Sequence, residues 1–133
     1  MKILNFSDPS HGWIDISIGS GSERHTLTVS DMPNDCVGEL ATATTRLIAG
    51  SGEERIEFPL EPDFATLYLT LSIDMVQLRL FHPYHSNAVL DTRHPLDAFA
   101  RELKIELQRI RPLFDSPEGW TQPFPEKEFS SLP

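Results

Sequence analysis

One cysteine, few basic side chains and no long apolar run each remove a class of protein from consideration. With Cys36 alone, the chain forms no internal disulfide and carries none of the multi-cysteine zinc motifs, which fits a reducing compartment. Eleven Lys and Arg face twenty Asp and Glu, a formal charge of -9. Phosphate recognition depends on cations that displace counterions, so this deficit argues against nucleic acid as a direct ligand and for a cationic protein partner. No stretch approaches the roughly 20 apolar residues of a membrane span. The start, Met1 to Pro9, breaks its short apolar run at Asp8, too early for a signal peptide. A cytoplasmic location without membrane contact is expected. Catalytic motifs are missing as well. Gly19-Ser20-Gly21-Ser22 leads into no helix, so it is neither a nucleophile elbow nor, without Gly-Lys-Ser/Thr, a phosphate loop. No enzyme and no cofactor are expected.

What is present is the material of one domain, 133 residues of which 39% are hydrophobic. Ile14, Ile16 and Ile18 alternate with polar residues, and after the turn at 19–22 the alternation resumes over Thr26 to Ser30, which predicts a hairpin. The period then changes. Val37, Leu40, Ala41, Thr44, Leu47 and Ile48 recur three and four apart, predicting a helix from about Asn34 to Ala49, capped by Asp31 or Asn34 and ended by Gly50-Ser51-Gly52. Strands are predicted over Arg55–Leu60, Ala65–Ile73 and Met75–His82, with a weaker one near Asn87–Asp91. Leu67, Leu69, Leu71 and Ile73 oppose Thr66, Tyr68, Thr70 and Ser72, the pattern of an antiparallel sheet with one wet face.

From His94-Pro95 to Pro112, Leu96, Phe99, Leu103, Leu107 and Ile110 form a helical stripe, with the pairs Asp97/Arg101 and Glu106/Arg109 assigned to its outer face. The order ββα-ββββ-α predicts an α+β two-layer sandwich over 1–111, mainly antiparallel, with both helices on one face of the sheet. Residues 112–133 read as an extended tail. Five prolines rule out regular structure over most of it, while Phe114, Trp120, Phe124 and Phe129 suit docking onto the domain or onto a partner.

The negative charge is concentrated. The last helix, with four basic and three acidic residues, is near neutral. The surplus gathers as Asp31, Asp35 and Glu39 at the start of the first helix, where the helix dipole favours carboxylates. A second group, Glu53, Glu54, Glu57, Glu61 and Asp63, has no such local reason. Arg55, Glu57 and Pro59 are expected to face away from the core. These eight carboxylates are the candidate partner-binding residues, since complementary charge accelerates association and rejects wrong partners. Other chemistry is thin. His82 and His85, with His94 or His11, have the residue types of a metal site but not its ligand spacing. Cys36 lies near a helix start, yet Asp35 beside it disfavours a thiolate.

Ser30-Asp31-Met32-Pro33-Asn34-Asp35 before a Leu-rich helix, the Leu60-Glu61-Pro62 step, and Trp120 with Phe124-Pro125 resemble small acidic immunity proteins of bacterial polymorphic toxin systems. The resemblance implies stoichiometric inhibition, without chemistry, of a cognate toxin domain acting in the cytosol. The alternative class is a non-catalytic homo-oligomeric or adaptor domain, a homodimer for instance, using the polar sheet face of Tyr68, Thr70, Arg79 and Phe81 or the aromatic tail.

Overall fold

Period-two alternation builds two antiparallel sheets that share one core. In the computed structural model, which describes residues 2–133, β1 (Leu4–Phe6), β2 (Trp13–Ile18) and β3 (His25–Ser30) form the first sheet in that order. After α1 (Cys36–Ile48), the strands β4 (Glu53–Pro59), β5 (Phe64–Ser72), β6 (Met75–Phe81) and β7 (Leu90–Pro95) form a four-stranded meander. Then come α2 (Leu96–Ile110) and a short α3 (Glu126–Ser131). The fold is α+β. Ile14, Ile16 and Ile18 of the first sheet share one hydrophobic core with Leu67, Leu69, Leu78 and Leu80 of the second. α1 packs on β4, and α2 on β1 and β7.

Several elements differ from the sequence expectation. β1 is too short to show a period, and it exists because β2 pairs with it, Leu4 opposite Ile18 and Phe6 opposite Ile16. The cap of α1 is Asp35, whose carboxylate accepts the Gly38 amide at 3.0 Å, rather than Asp31 or Asn34. A Cβ on Gly38 would press on that carboxylate, so the glycine lets Asp35 sit close against the first turn. The last strand runs through His94, because Val76 of β6 pairs with it, and only then does the helix begin. Pro59 is buried rather than outward. Glu106, expected on the outer face of α2, is 1% exposed. In the tail, α3 forms after the last internal proline, with Pro123 and Pro125 preceding it, where a missing amide hydrogen costs nothing.

The segment 112–133 belongs to the same core. Trp120 is fully buried, and Phe114 and Leu132 nearly so. Gly12 donates its amide to Gly119 O at 2.7 Å, and His11 to Glu118 O at 2.9 Å, which stitches the loop before β2 to the tail. Phe124 and Phe129 pack on each other, and Arg111 lies over both rings at 4.6 and 5.3 Å.

Candidate functional site: an acidic groove

Three stretches remote in sequence converge on one open groove of about 730 Å³, bounded by α1, the edge strand β4 and the tail through α3. α1 contributes Asp35 and Glu39 from its first turns and Arg46 from its last. β4 contributes Glu54, and the tail adds Glu126 and Glu128. Five carboxylates thus line a groove whose cations are Arg46, Arg55 and Lys127. Two of the five are neutralised locally: Glu54 pairs with Arg46 at 3.5 Å, and Glu126 takes a two-pronged contact from Arg111 at 2.5 and 2.6 Å. With Lys127 also on the wall, the groove keeps a net negative charge, carried by Asp35, Glu39 and Glu128.

Ionisation of Asp35 and Glu39 is disfavoured. Burial pushes the Asp35 carboxyl above its usual range, and the nearby Asp31 adds to this, against the bonds from the Gly38 amide and Trp120 Nε1 (2.9 Å). Burial raises Glu39 likewise, with Asp35 and Glu57 pushing the same way while Asn34 Nδ2, donating at 2.9 Å, opposes. Neighbouring carboxylates that disfavour their own ionisation are stabilised by an added cation.

The other five sequence candidates lie elsewhere. Asp31 is buried at 3% exposure and faces inward, accepting the Thr121 amide at 2.8 Å and the Thr121 hydroxyl at 2.5 Å. It holds the tail and is no surface group. Glu53 and Glu57 point to the open face of the second sheet, where they accept from Thr70 (3.3 Å) and Thr66 (3.0 Å), and Glu57 also pairs with Arg55 at 3.4 Å. Glu61 is exposed in the β4–β5 turn, and Asp63 accepts the Tyr84 hydroxyl at 2.8 Å. The sequence-defined stretch is therefore divided between two surfaces. Sequence reasoning missed Glu126 and Glu128. Their only local signal is a pair of acidic residues after prolines; what makes them a groove wall is the burial of Trp120, which brings the tail over α1.

The histidines are separated. His82 meets His25, not His94 or His11, with the two Nε2 atoms 2.7 Å apart between β3 and the end of β6. Burial lowers His25, and His82 adds to this. His94 lies in β7, bonded to Thr92 Oγ1 at 2.9 Å, and burial lowers it too, partly offset by Glu102. Among the described residues, no three His, Cys, Asp or Glu side chains are placed to hold a metal ion. Cys36 is fully buried, and burial, aided by Asp35 and Glu39, pushes its thiol well up, which leaves no reactive thiolate.

The fold and the groove define an α+β protein with an acidic cleft between a helix, a sheet edge and a docked C-terminal segment. Among the described residues no helix is long and apolar enough to cross a membrane. No protein-family model, curated protein or solved structure matches the chain.

Proposed function

We propose that the protein is a binding inhibitor of the immunity type, which receives cationic side chains of a cognate bacterial toxin domain in the groove between α1, β4 and α3. The observation that carries this reading is the convergence of Asp35, Glu39, Glu54, Glu126 and Glu128 on one open surface. Burial holds two of these carboxyls above their ordinary range, a state that a cation relieves. A groove of this kind is worth little to folding, since its charges repel one another, and much to the association rate and selectivity of a basic partner. Nothing in it requires chemistry, and the protein acts by occupying the partner's cationic cleft in the cytosol.

The test is a double charge reversal, Glu39→Lys with Glu54→Lys, measured against the protein partner captured by the unaltered chain. Calorimetric affinity is expected to fall at least a hundredfold, about 3 kcal/mol for two interfacial charges, with an unchanged circular dichroism spectrum. Unaltered affinity in a folded double variant would remove the groove from the interface.

A further inference from the structure

The open face of the second sheet carries a separate aromatic pocket. It has a volume of about 330 Å³ and is lined by Phe64, Tyr68, Phe81, Tyr84, His82 and His85. Four rings from β5, β6 and the loop after β6 line it, and two of them stand out. Phe64 is 37% exposed and Tyr84 is 91% exposed, and among the described residues neither has a ring or cation partner. Tyr84 also sits at φ 65, a left-handed conformation that a bulky residue adopts at a cost. Its hydroxyl donates to Asp63 Oδ1 at 2.8 Å, a bond that raises the phenol above its ordinary range. The strain thus holds an aromatic ring out in solvent, where it contributes nothing to the core; backbone strain of this sort concentrates at ligand sites.

No carboxylate lines the pocket itself, but Asp63, bonded to the pocket's Tyr84, stands at its border and favours a cation. Asp63 Oδ2 has no partner among the described residues, and Glu61 is exposed two residues away. Glu57, beside the pocket-lining Thr66, is already paired with Arg55. The same face shows how it handles a guanidinium, since Arg79 lies 5.5 Å over the Tyr68 ring while Tyr68 meets Phe81 edge to face. That use of Tyr68 leaves Phe64 and Tyr84 for a second cation. Arginine fits better than lysine: its plane stacks on rings and its fork matches a carboxylate, whereas an ammonium is more strongly hydrated.

We propose that this pocket is an anchor site for one arginine side chain of the partner, its guanidinium stacked against Phe64 and Tyr84 and bonded to Asp63. The source of the side chain rests on the cationic-partner reading given above, but the pocket is testable without any partner. The probe is N-acetyl-arginine amide, with the uncharged isostere N-acetyl-citrulline amide as its control, titrated into the full chain while aromatic resonances are followed by NMR. Saturable shifts of Phe64 and Tyr84 are expected with the arginine probe, with the citrulline probe weaker by about fivefold or more. Tyr84→Ala, at an exposed position, is expected to abolish the response, and Asp63→Asn to weaken it. Equal response to both probes, no saturable response, or an unchanged response in Tyr84→Ala overturns the proposal. Glu39→Lys with Glu54→Lys is expected to leave these shifts unaltered, so failure of the groove and failure of the pocket are told apart.

Discussion

At the scale of single residues, the most consequential side chains are two carboxylates on α2 that hold the outer edge of β1. Glu102 accepts the amides of Ile3 and Leu4 at 2.6 and 3.1 Å, and Glu106 accepts the Phe6 amide at 2.7 Å. The geometry follows from two repeats: four residues of helix rise about 6 Å and two residues of strand about 6.7 Å, so i, i+4 carboxylates match alternate amides of a strand edge. An exposed edge that would otherwise invite pairing with another chain is closed in this way. Burial alone would raise the Glu106 carboxyl; the Phe6 amide, Arg109 and Lys2 together outweigh it, so it lies below its ordinary value. Glu106→Ala leaves the Phe6 amide without an acceptor and is expected to cost about 3 kcal/mol, read as a lower urea midpoint at unchanged slope. The sign for pH follows from the lowered value. Glu106 contributes its full stabilisation above the ordinary glutamate range and loses it as pH falls through the folded value, so Glu106→Gln is expected to flatten the acid limb of stability.

At the scale of elements, the docked tail and the junction between the sheets are the two places where long-range contacts decide the structure. Asp31 holds the tail by charge-assisted bonds to Thr121, and Asp35 by its bond to Trp120. Asp31→Ala is expected to loosen this segment by about 2 kcal/mol, accelerating hydrogen exchange around Trp120 to Gln122 by about thirtyfold while β5 and β6 keep their protection. At the junction, His25 and His82 share one hydrogen bond, which two protonated rings cannot make. Since His25 is lowered, the unfolded chain binds more protons there. Stability from this pair is complete above the ordinary imidazole value and is lost as pH falls through it toward the folded value. His25→Gln is expected to reduce the slope of stability between neutral and mildly acid pH, measured by thermal melts. Both features were hidden for the same reason. The long elements were legible because β2, β5, β6, α1 and α2 each repeat an apolar face within their own span. β1, with three residues, is held between β2 and two α2 carboxylates about 100 residues away, α3, with six, packs on α1, and the tail is anchored by Asp31 and Asp35, 85 to 90 residues before it. Of the acidic candidates, composition marked Glu39 and Glu54 but could not place them on one groove, nor see that Asp31 faces inward. Asp31 and Glu39 lie eight positions apart in the sequence and serve opposite ends, one inside and one out.

At the scale of the whole molecule, the charge of -9 is sorted by the fold into internal and external uses. Asp31, Glu102 and Glu106 are used inside the fold as acceptors for backbone amides, which removes them from direct contact with a partner. The external share is the groove and the open sheet face, and the two differ in kind. The sheet face interleaves Glu53, Arg55 and Glu57 with Arg79, Asp91 and Arg93, so its field nearly cancels at a distance. The groove keeps a surplus on Asp35, Glu39 and Glu128, so it dominates the approach of a cationic partner. Steering of this type acts on the association rate and is screened within a Debye length of about 8 Å at physiological salt. For the proposed toxin domain, the association rate is expected to drop about tenfold from low to physiological ionic strength, with a much smaller change in dissociation, as read by stopped-flow fluorescence. The pH dependence carries a second signature. Binding a cation requires Asp35 and Glu39 ionised, and both titrate above the ordinary carboxyl range because burial opposes their charge. Affinity is therefore expected to fall on acidification at a higher pH than ordinary surface carboxylates would give, with proton release on binding in the same window. Glu39→Gln is expected to shift that loss of affinity to lower pH and to reduce the protons released. If the salt dependence persisted in Glu39→Gln while the pH dependence stayed where it was, steering would have to come from the open sheet face, and the groove would not be the surface that the partner meets first.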